Sequence, residues 1–270
     1  MDLSKVRLVV TDMDGTLLNR KSQVSENFFG LFSKLKKYNI QFVAASGRQY
    51  HSIANKLYTI RDEIFIVAEN GGIAISKEQE LLSVNLSQKK IDDLLPLIKN
   101  LDNVYTVLCG KNSAYIETKN EKFISILNEY YSKYHIVDDL STVQDDDFFK
   151  IAIYHFESSE KFIYPAVKHL EGKLQIKVSG ENWLDISSPD ANKGNAIQFI
   201  QTKLGISKEE TMVFGDYNND LEMLELGYFS YAMENAHSNV RKVARFETKS
   251  NDDEGVEFIL EKLLQAKELT

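Results

Sequence analysis

Short apolar runs recur along the chain, and each ends in a cluster of polar or glycine residues. Val6 to Val10 runs into an Asp/Gly cluster and Ile40 to Ala45 into Ser46-Gly47. Ile64 to Ala68 runs into Glu69-Asn70-Gly71, and Thr211 to Phe214 into Gly215-Asp216. Such runs predict the buried strands of a parallel sheet covered by helices on both faces. Between them apolar residues fall at helical spacing. Ser25 to Tyr38 opens on a serine cap and repeats Phe28, Leu31, Phe32 and Leu35. Asn192 to Leu204 repeats Ala196, Ile197, Ile200 and Leu204, and Glu254 to Leu264 repeats Val256, Ile259, Leu260, Leu263 and Leu264.

The middle of the chain follows another pattern. Helical stretches at Lys89 to Leu101, Glu121 to Tyr131 and Ser159 to Leu170 alternate with β-rich pieces. Those pieces are Val104 to Leu108, Ala114 to Glu117, Phe149 to His155 and Leu174 to Val178. This predicts an α+β unit over residues 83–185 inserted into an α/β sheet domain formed by 1–82 and 186–270. The alternative is one continuous α/β domain. Strand-end motifs resume at Lys193 and Asp216, which favours the insertion. In open α/β sheets ligands bind at the C-terminal ends of the strands, so four separate stretches converge on one edge.

Composition narrows the partners. The 270 residues are 43% hydrophobic and 27% charged, as in soluble globular chains. A formal net charge of -8 argues against nucleic acid as the main ligand. It leaves room for a phosphorylated small molecule, because a few buried cations and a metal can dominate a local site. No apolar run approaches the roughly 20 residues that span a bilayer, and the N-terminus does not read as a secretory signal. The single cysteine, Cys109, reads as an apolar filler, which suits a cytoplasmic protein. A monomer or weak homo-oligomer is expected. The five histidines show no ligand spacing.

The first strand leads into Asp12-Met13-Asp14-Gly15-Thr16. Residues two apart in extended backbone share a face. Two carboxylates at ~4 Å repel by about 4 kcal/mol at an effective dielectric near ~20, so a cation or a shared proton must offset them. A solvated Asp-Gly turn is the plain alternative. Gly215-Asp216-Tyr217-Asn218-Asn219-Asp220 supplies hard oxygen donors of the kind magnesium takes, and Asp12, Asp14 and Asp216 would suffice for it. It reads equally as a helix-capping loop. Ser46-Gly47-Arg48 can cradle a phosphate oxygen or simply cap a helix. Lys193 opens a helix, where the dipole disfavours a cation unless an anion stands near.

In this order, Asp12 to Thr16, Ser46, Lys193 and Gly215 to Asp220 resemble the haloacid-dehalogenase superfamily of phosphohydrolases. Ala45 to Arg48, Glu69 to Gly72, Asn192 to Gly194, Asp220 through Met223-Leu224, Ala232 to Ala236 and Asn251 to Val256 are similar to its Cof-type branch. Gly72 and Glu234 are mild departures. Only 33 residues separate Asp12 from Ser46, whereas 146 separate Ser46 from Lys193. The insert thus occupies the position of the Cof-type cap.

The resemblance implies a Rossmann-like core and a magnesium-dependent phosphatase. Asp12 would be the nucleophile, forming an aspartyl-phosphate. Asp14 would be the acid–base partner, with a pKa raised by the surrounding carboxylates. Mg2+ would be held by Asp12, the main-chain carbonyl of Asp14 and Asp216. Ser46, Lys193, Asn219 and the N–H groups of Met13 and Gly47 would hold the phosphoryl oxygens. Asp220 would orient Lys193 or a metal-bound water. Arg48, Asn70 and aromatic residues such as Tyr115 or Trp183 could touch the leaving group. The substrate expected is a small phosphorylated metabolite, a sugar phosphate or a cofactor such as pyridoxal phosphate or FMN. The competing functions are a sugar phosphomutase and a non-catalytic phosphometabolite-binding protein.

Overall fold

A computed structural model describes residues 2–269. The chain begins with β1 (Leu8–Asp12), β2 (Gln41–Ala45), β3 (Phe65–Ala68), β4 (Ile73–Ser76) and β5 (Gln79–Ser83). There follow β6 (Val104–Gly110), β7 (Ala114–Ile116), β8 (Tyr134–Ile136), β9 (Phe148–His155), β10 (Gln175–Val178) and β11 (Trp183–Ser187). The last strands are β12 (Thr211–Gly215), β13 (Phe229–Ala232) and β14 (Phe246–Glu247).

These strands form two sheets among the described residues. The first has the order β14-β13-β12-β1-β2-β3-β4-β5, parallel from β14 to β3 and closed by an antiparallel pair at the β5 edge. The second has the order β10-β11-β9-β6-β7-β8. The fold is α/β, with a Rossmann-like parallel sheet carrying a smaller α+β unit.

β1 is buried along its whole length, between β2 and β12. The chain winds from β1 through β2 to β3 on one side, then returns to β12, β13 and β14 on the other. Strand order therefore reverses at β1, which opens a crevice beyond the C-terminal ends of β1 and its neighbours. Asp12 is the last residue of β1 and lies in that crevice.

Local chemistry explains the helices. Ser25 Oγ accepts from Phe28 N at 3.1 Å, and the helix Glu26–Lys37 buries Phe28, Leu31, Phe32 and Leu35, as their spacing predicts. Asn192 caps the helix Lys193–Leu204 by accepting from Asn195 N at 2.8 Å. The helix expected over Ser159 to Leu170 breaks into Ser159–Phe162, Tyr164–Val167 and a last 3-10 turn. Pro165 is the cause, since it lacks an N–H and biases the residue before it away from helix. The β4–β5 hairpin escapes the sequence reading for a similar reason. Its turn residues Lys77 and Glu78 adopt positive φ, where Asn-Gly is the usual signal.

In the second sheet, alternation sorts the two faces. Ile151, Ile153, Leu184 and Ile186 pack with Ile91, Leu94, Leu95 and Ile98 of the helix Gln88–Lys99. Ala152, Tyr154 and Trp183 pack on the other face, with Phe123 and Leu127 of the helix Glu121–Tyr130. Cys109 is buried in this second group, 3.3 Å from the Tyr131 hydroxyl, and burial pushes its thiol pKa up, as suits a filler.

Candidate active site

Asp12 closes β1 with its side chain almost wholly buried. The Lys193 ammonium, fully buried at the start of its helix, stands 2.5 Å from Asp12 Oδ1 and 2.7 Å from Asp220 Oδ1. The other Asp220 oxygen accepts from the backbone N–H groups of Asp216 and Tyr217 at 2.9 and 3.1 Å. Asp220 is thus fully engaged as a brace for Lys193 and for the turn after β12. Asp216 Oδ1 accepts from Thr16 Oγ1 at 3.0 Å, which ties the loop after β1 to the loop after β12. Gly15 makes this approach feasible. It has φ +75, and a Cβ there would lie 2.3 Å from Asp216 Oδ2.

These contacts set the electrostatics. Burial, then the Asp220 carboxylate, push the Asp12 pKa up to about 7 against the pull of Lys193. Burial, then Asp12 and Asp220, hold Asp216 well above the usual carboxylate range. Burial disfavours the Lys193 cation, but Asp12 and Asp220 outweigh it and raise its pKa.

Three buried carboxylates, those of Asp12, Asp216 and Asp220, offer oxygens within 4.8 Å of one another. Asp12 Oδ2 is buried and receives no hydrogen bond. An unmet buried anion beside further carboxylates fits a hard divalent cation. Asp220 already serves Lys193 and two N–H groups, which leaves Asp12 and Asp216 as the side chains suited to the ion. The Asp14 carboxylate turns away to Arg48, so its share in a metal site would fall to its main chain.

Ser46 follows β2, and its Oγ accepts from Arg48 N at 3.1 Å. Asn219 Nδ2 donates to Asn70 Oδ1 at 2.9 Å. A cavity of about 470 Å³ lies over these residues, between the two sheets. Asp12, Asp14, Ser46, Gly47, Arg48, Asp216 and Asn219 line it from below, and Trp183 and Tyr130 of the insert line it from above. Met13, Lys193 and Asp220 are buried and do not line it. Asn70 is engaged with Asn219 and with Asp185, not turned to the cavity. Tyr115 lies elsewhere, its hydroxyl donating to Asp146 Oδ2 at 3.0 Å.

Arg48, expected at the phosphate or the leaving group, lines the cavity and also grips Asp14 and the Glu129 main-chain oxygen, a role the sequence does not announce. Lys150 and Asp185 also reach the site from the insert. Their signal was a lone charge inside an otherwise apolar strand, as in Phe148 to Tyr154 and Trp183 to Ile186.

Residues 9–260 match the family model of the haloacid dehalogenase-like hydrolases. The chain belongs to this family. A 5-amino-6-(5-phospho-D-ribitylamino)uracil phosphatase of Escherichia coli is 33% identical over 263 residues, covering 96% of this chain and 97% of the relative. A crystal structure from Streptococcus mutans shares 29% identity at a TM-score of 0.90 and covers 96% of this chain and 99% of its own. One from Thermotoga maritima shares 29% identity at a TM-score of 0.79, covering 95% and 97%. As a haloacid dehalogenase-like hydrolase of Cof type, the chain is a phosphoric monoester hydrolase. Among its described residues, no helix is long and apolar enough to cross a membrane.

Proposed function

We propose that this phosphatase is magnesium-dependent and hydrolyses a small phosphorylated metabolite through an aspartyl-phosphate on Asp12. In this reading the unit built on the first sheet is the catalytic core, and the inserted unit is the cap that chooses the substrate. Ser83 pairs in the first sheet and Ile186 and Ser187 in the second, so the boundaries expected at 82/83 and 185/186 move to after Ser83 and after Ser187. The observation that carries it is the Asp12 carboxylate, one oxygen on Lys193 and the other buried without a donor.

The phosphoryl group sits in the cavity with its oxygens toward Ser46, Lys193, Asn219 and the N–H groups of Met13 and Gly47. Asp12 attacks phosphorus, and the bond from phosphorus to the leaving oxygen breaks as Asp14, which must first leave the Arg48 fork and take up a proton, gives that proton to the leaving oxygen. Asp14 then takes a proton from water, whose oxygen attacks phosphorus and releases inorganic phosphate and the Asp12 carboxylate. Lys193 stays protonated between Asp12 and Asp220 and meets the charge that builds on the phosphoryl oxygens. Mg2+, held by Asp12, Asp216 and the Asp14 main chain, would screen the carboxylates from the anionic substrate.

The insert roofs the cavity with aromatic side chains and excludes water around the leaving group. The E. coli relative acts on a phosphorylated ribitylamino-uracil, which supports a leaving group of cofactor-precursor size. A screen of phosphorylated metabolites with Mg2+ tests the substrate class. Acid-quenched protein should carry substrate-derived phosphate on Asp12, and Asp12→Asn should carry none and release none. Undiminished release from Asp12→Asn would sink the mechanism.

A further inference from the structure

Lys150 of β9 and Asp185 of β11 have the strand parity of Ala152, Tyr154 and Trp183. On that face they meet the loops after β2 and β3. Lys150 Nζ donates to Gly47 O at 2.7 Å and stands 3.1 Å from Asp185 Oδ2 and 3.2 Å from Glu69 Oε2. Asp185 Oδ2 accepts from Asn70 Nδ2, and Asn70 Oδ1 accepts from Asn219 Nδ2. Asn70 N in turn donates to Ser46 O at 3.0 Å. The three charged side chains are at most 4% exposed.

A buried ion cluster is a poor way to gain cohesion, because apolar side chains of similar size would hold the two units together at least as well. Burial disfavours the Lys150 cation, but Asp185 and Glu69 outweigh it and raise its pKa, so the ammonium stays charged. The placement of the contacts explains the cluster. Gly47 O belongs to the peptide plane that carries the Arg48 N–H, and Ser46 O to the plane that carries the Gly47 N–H. Lys150 therefore fixes the first plane, whose Arg48 N–H donates to Ser46 Oγ at 3.1 Å and so orients the hydroxyl of the cradle. Asp185, through Asn70, fixes the second and also holds the Asn219 amide.

We propose that Lys150 and Asp185 are positioning residues through which the insert braces the phosphate cradle, so that Gly47 and Asn219 take their working orientation only when the insert is seated. This rests on the reading that Gly47 and Asn219 hold phosphoryl oxygens. It predicts an effect on the phosphate itself. A role in recognising the leaving group would give a loss that varies from substrate to substrate.

The test measures calorimetric binding of inorganic phosphate in the presence of Mg2+. It also measures kcat/KM for p-nitrophenyl phosphate, a sugar phosphate and a phosphorylated cofactor. Lys150→Met and Asp185→Asn should each weaken phosphate binding about tenfold or more. They should lower kcat/KM by a similar factor for all three substrates, and Lys150→Arg should recover part of the loss. Retained phosphate binding, or a loss confined to some leaving groups, overturns the proposal. Asp185→Asn keeps the side-chain shape and decides the question alone if Lys150→Met does not fold. Asn219→Ala separates the two levels. If it binds phosphate like the wild type, the cradle itself is misassigned. If it binds weakly while both other variants bind normally, only the bracing role fails.

Discussion

Arg48 holds Asp14 with two hydrogen bonds, Nη2 to Oδ1 at 2.6 Å and Nε to Oδ2 at 2.7 Å. The same guanidinium donates to the Glu129 main-chain oxygen and lies 4.5 Å from the centre of the Tyr130 ring. One buried side chain thus ties the proposed acid–base residue to the insert. Arg48→Met should lower kcat/KM by about tenfold to a hundredfold, mostly through kcat, because a bidentate charged pair is lost. Arg48→Lys should restore only part, since an ammonium cannot reproduce the planar fork. Steady-state kinetics that find Arg48→Lys equal to wild type would contradict this.

The acidic cluster makes magnesium and pH interdependent. Asp12, at about 7, and Asp216, raised well above the usual range, keep protons in the folded chain that the unfolded chain releases near pH ~4. Each group's contribution to stability is therefore full below the unfolded pKa and lost as pH rises through the folded one, by at most ~1.4 kcal/mol per pH unit. A cation that meets the deprotonated carboxylates offsets that loss. Melting curves with Mg2+ and with EDTA should show a larger magnesium-induced rise in Tm at pH 8 than at pH 5. An equal rise at both would count against Asp12 and Asp216 as the ligands.

Gly15→Ala should damage the metal site from a distance of one residue. The substitution strains a positive φ by about 1–2 kcal/mol and drives a methyl group into the Asp216 carboxylate. Titration of activity with Mg2+ should show a higher half-saturating concentration. Unchanged magnesium dependence would mean that Asp216 plays no part in holding the ion.

Asp220 serves structure as much as chemistry. Asp220→Ala removes one of the two partners of buried Lys193 and leaves the N–H groups of Asp216 and Tyr217 without an acceptor. A loss of about 3–5 kcal/mol is expected from breaking a buried pair. Asp220→Asn can still accept from the two N–H groups and should cost less. Denaturant unfolding of both variants decides it, and equal losses would show that the N–H contacts carry no weight.

Much of the core was legible along the chain because its determinants are local. The runs ending at Val10, Ala45, Ala68 and Phe214 are apolar on both faces, so they announce a parallel sheet without knowledge of their partners. Their trailing residues, Asp12, Ser46, Asn70 and Asp216, follow from where such strands end. β13 and β14 went unread, being short and adjoined by ordinary polar loops. Pro165 and the Lys77-Glu78 turn misled the reading because one local feature outweighed a regular pattern on either side.

The order of residues along the chain determined which groups could do phosphate chemistry: the carboxylates after β1 and β12, the hydroxyl after β2 and the lysine after the insert. It could not determine which carboxylate faces which cation. That choice is made by packing, which brings Lys193 between Asp12 and Asp220, 181 and 27 residues away. The same packing turns Asp14 to Arg48, and joins Lys150 and Asp185 of one sheet to Gly47 and Asn70 of the other. Hydrophobic periodicity records which side of a strand is buried. It carries no record of what a buried charge will meet there, and only the assembled fold supplies that partner.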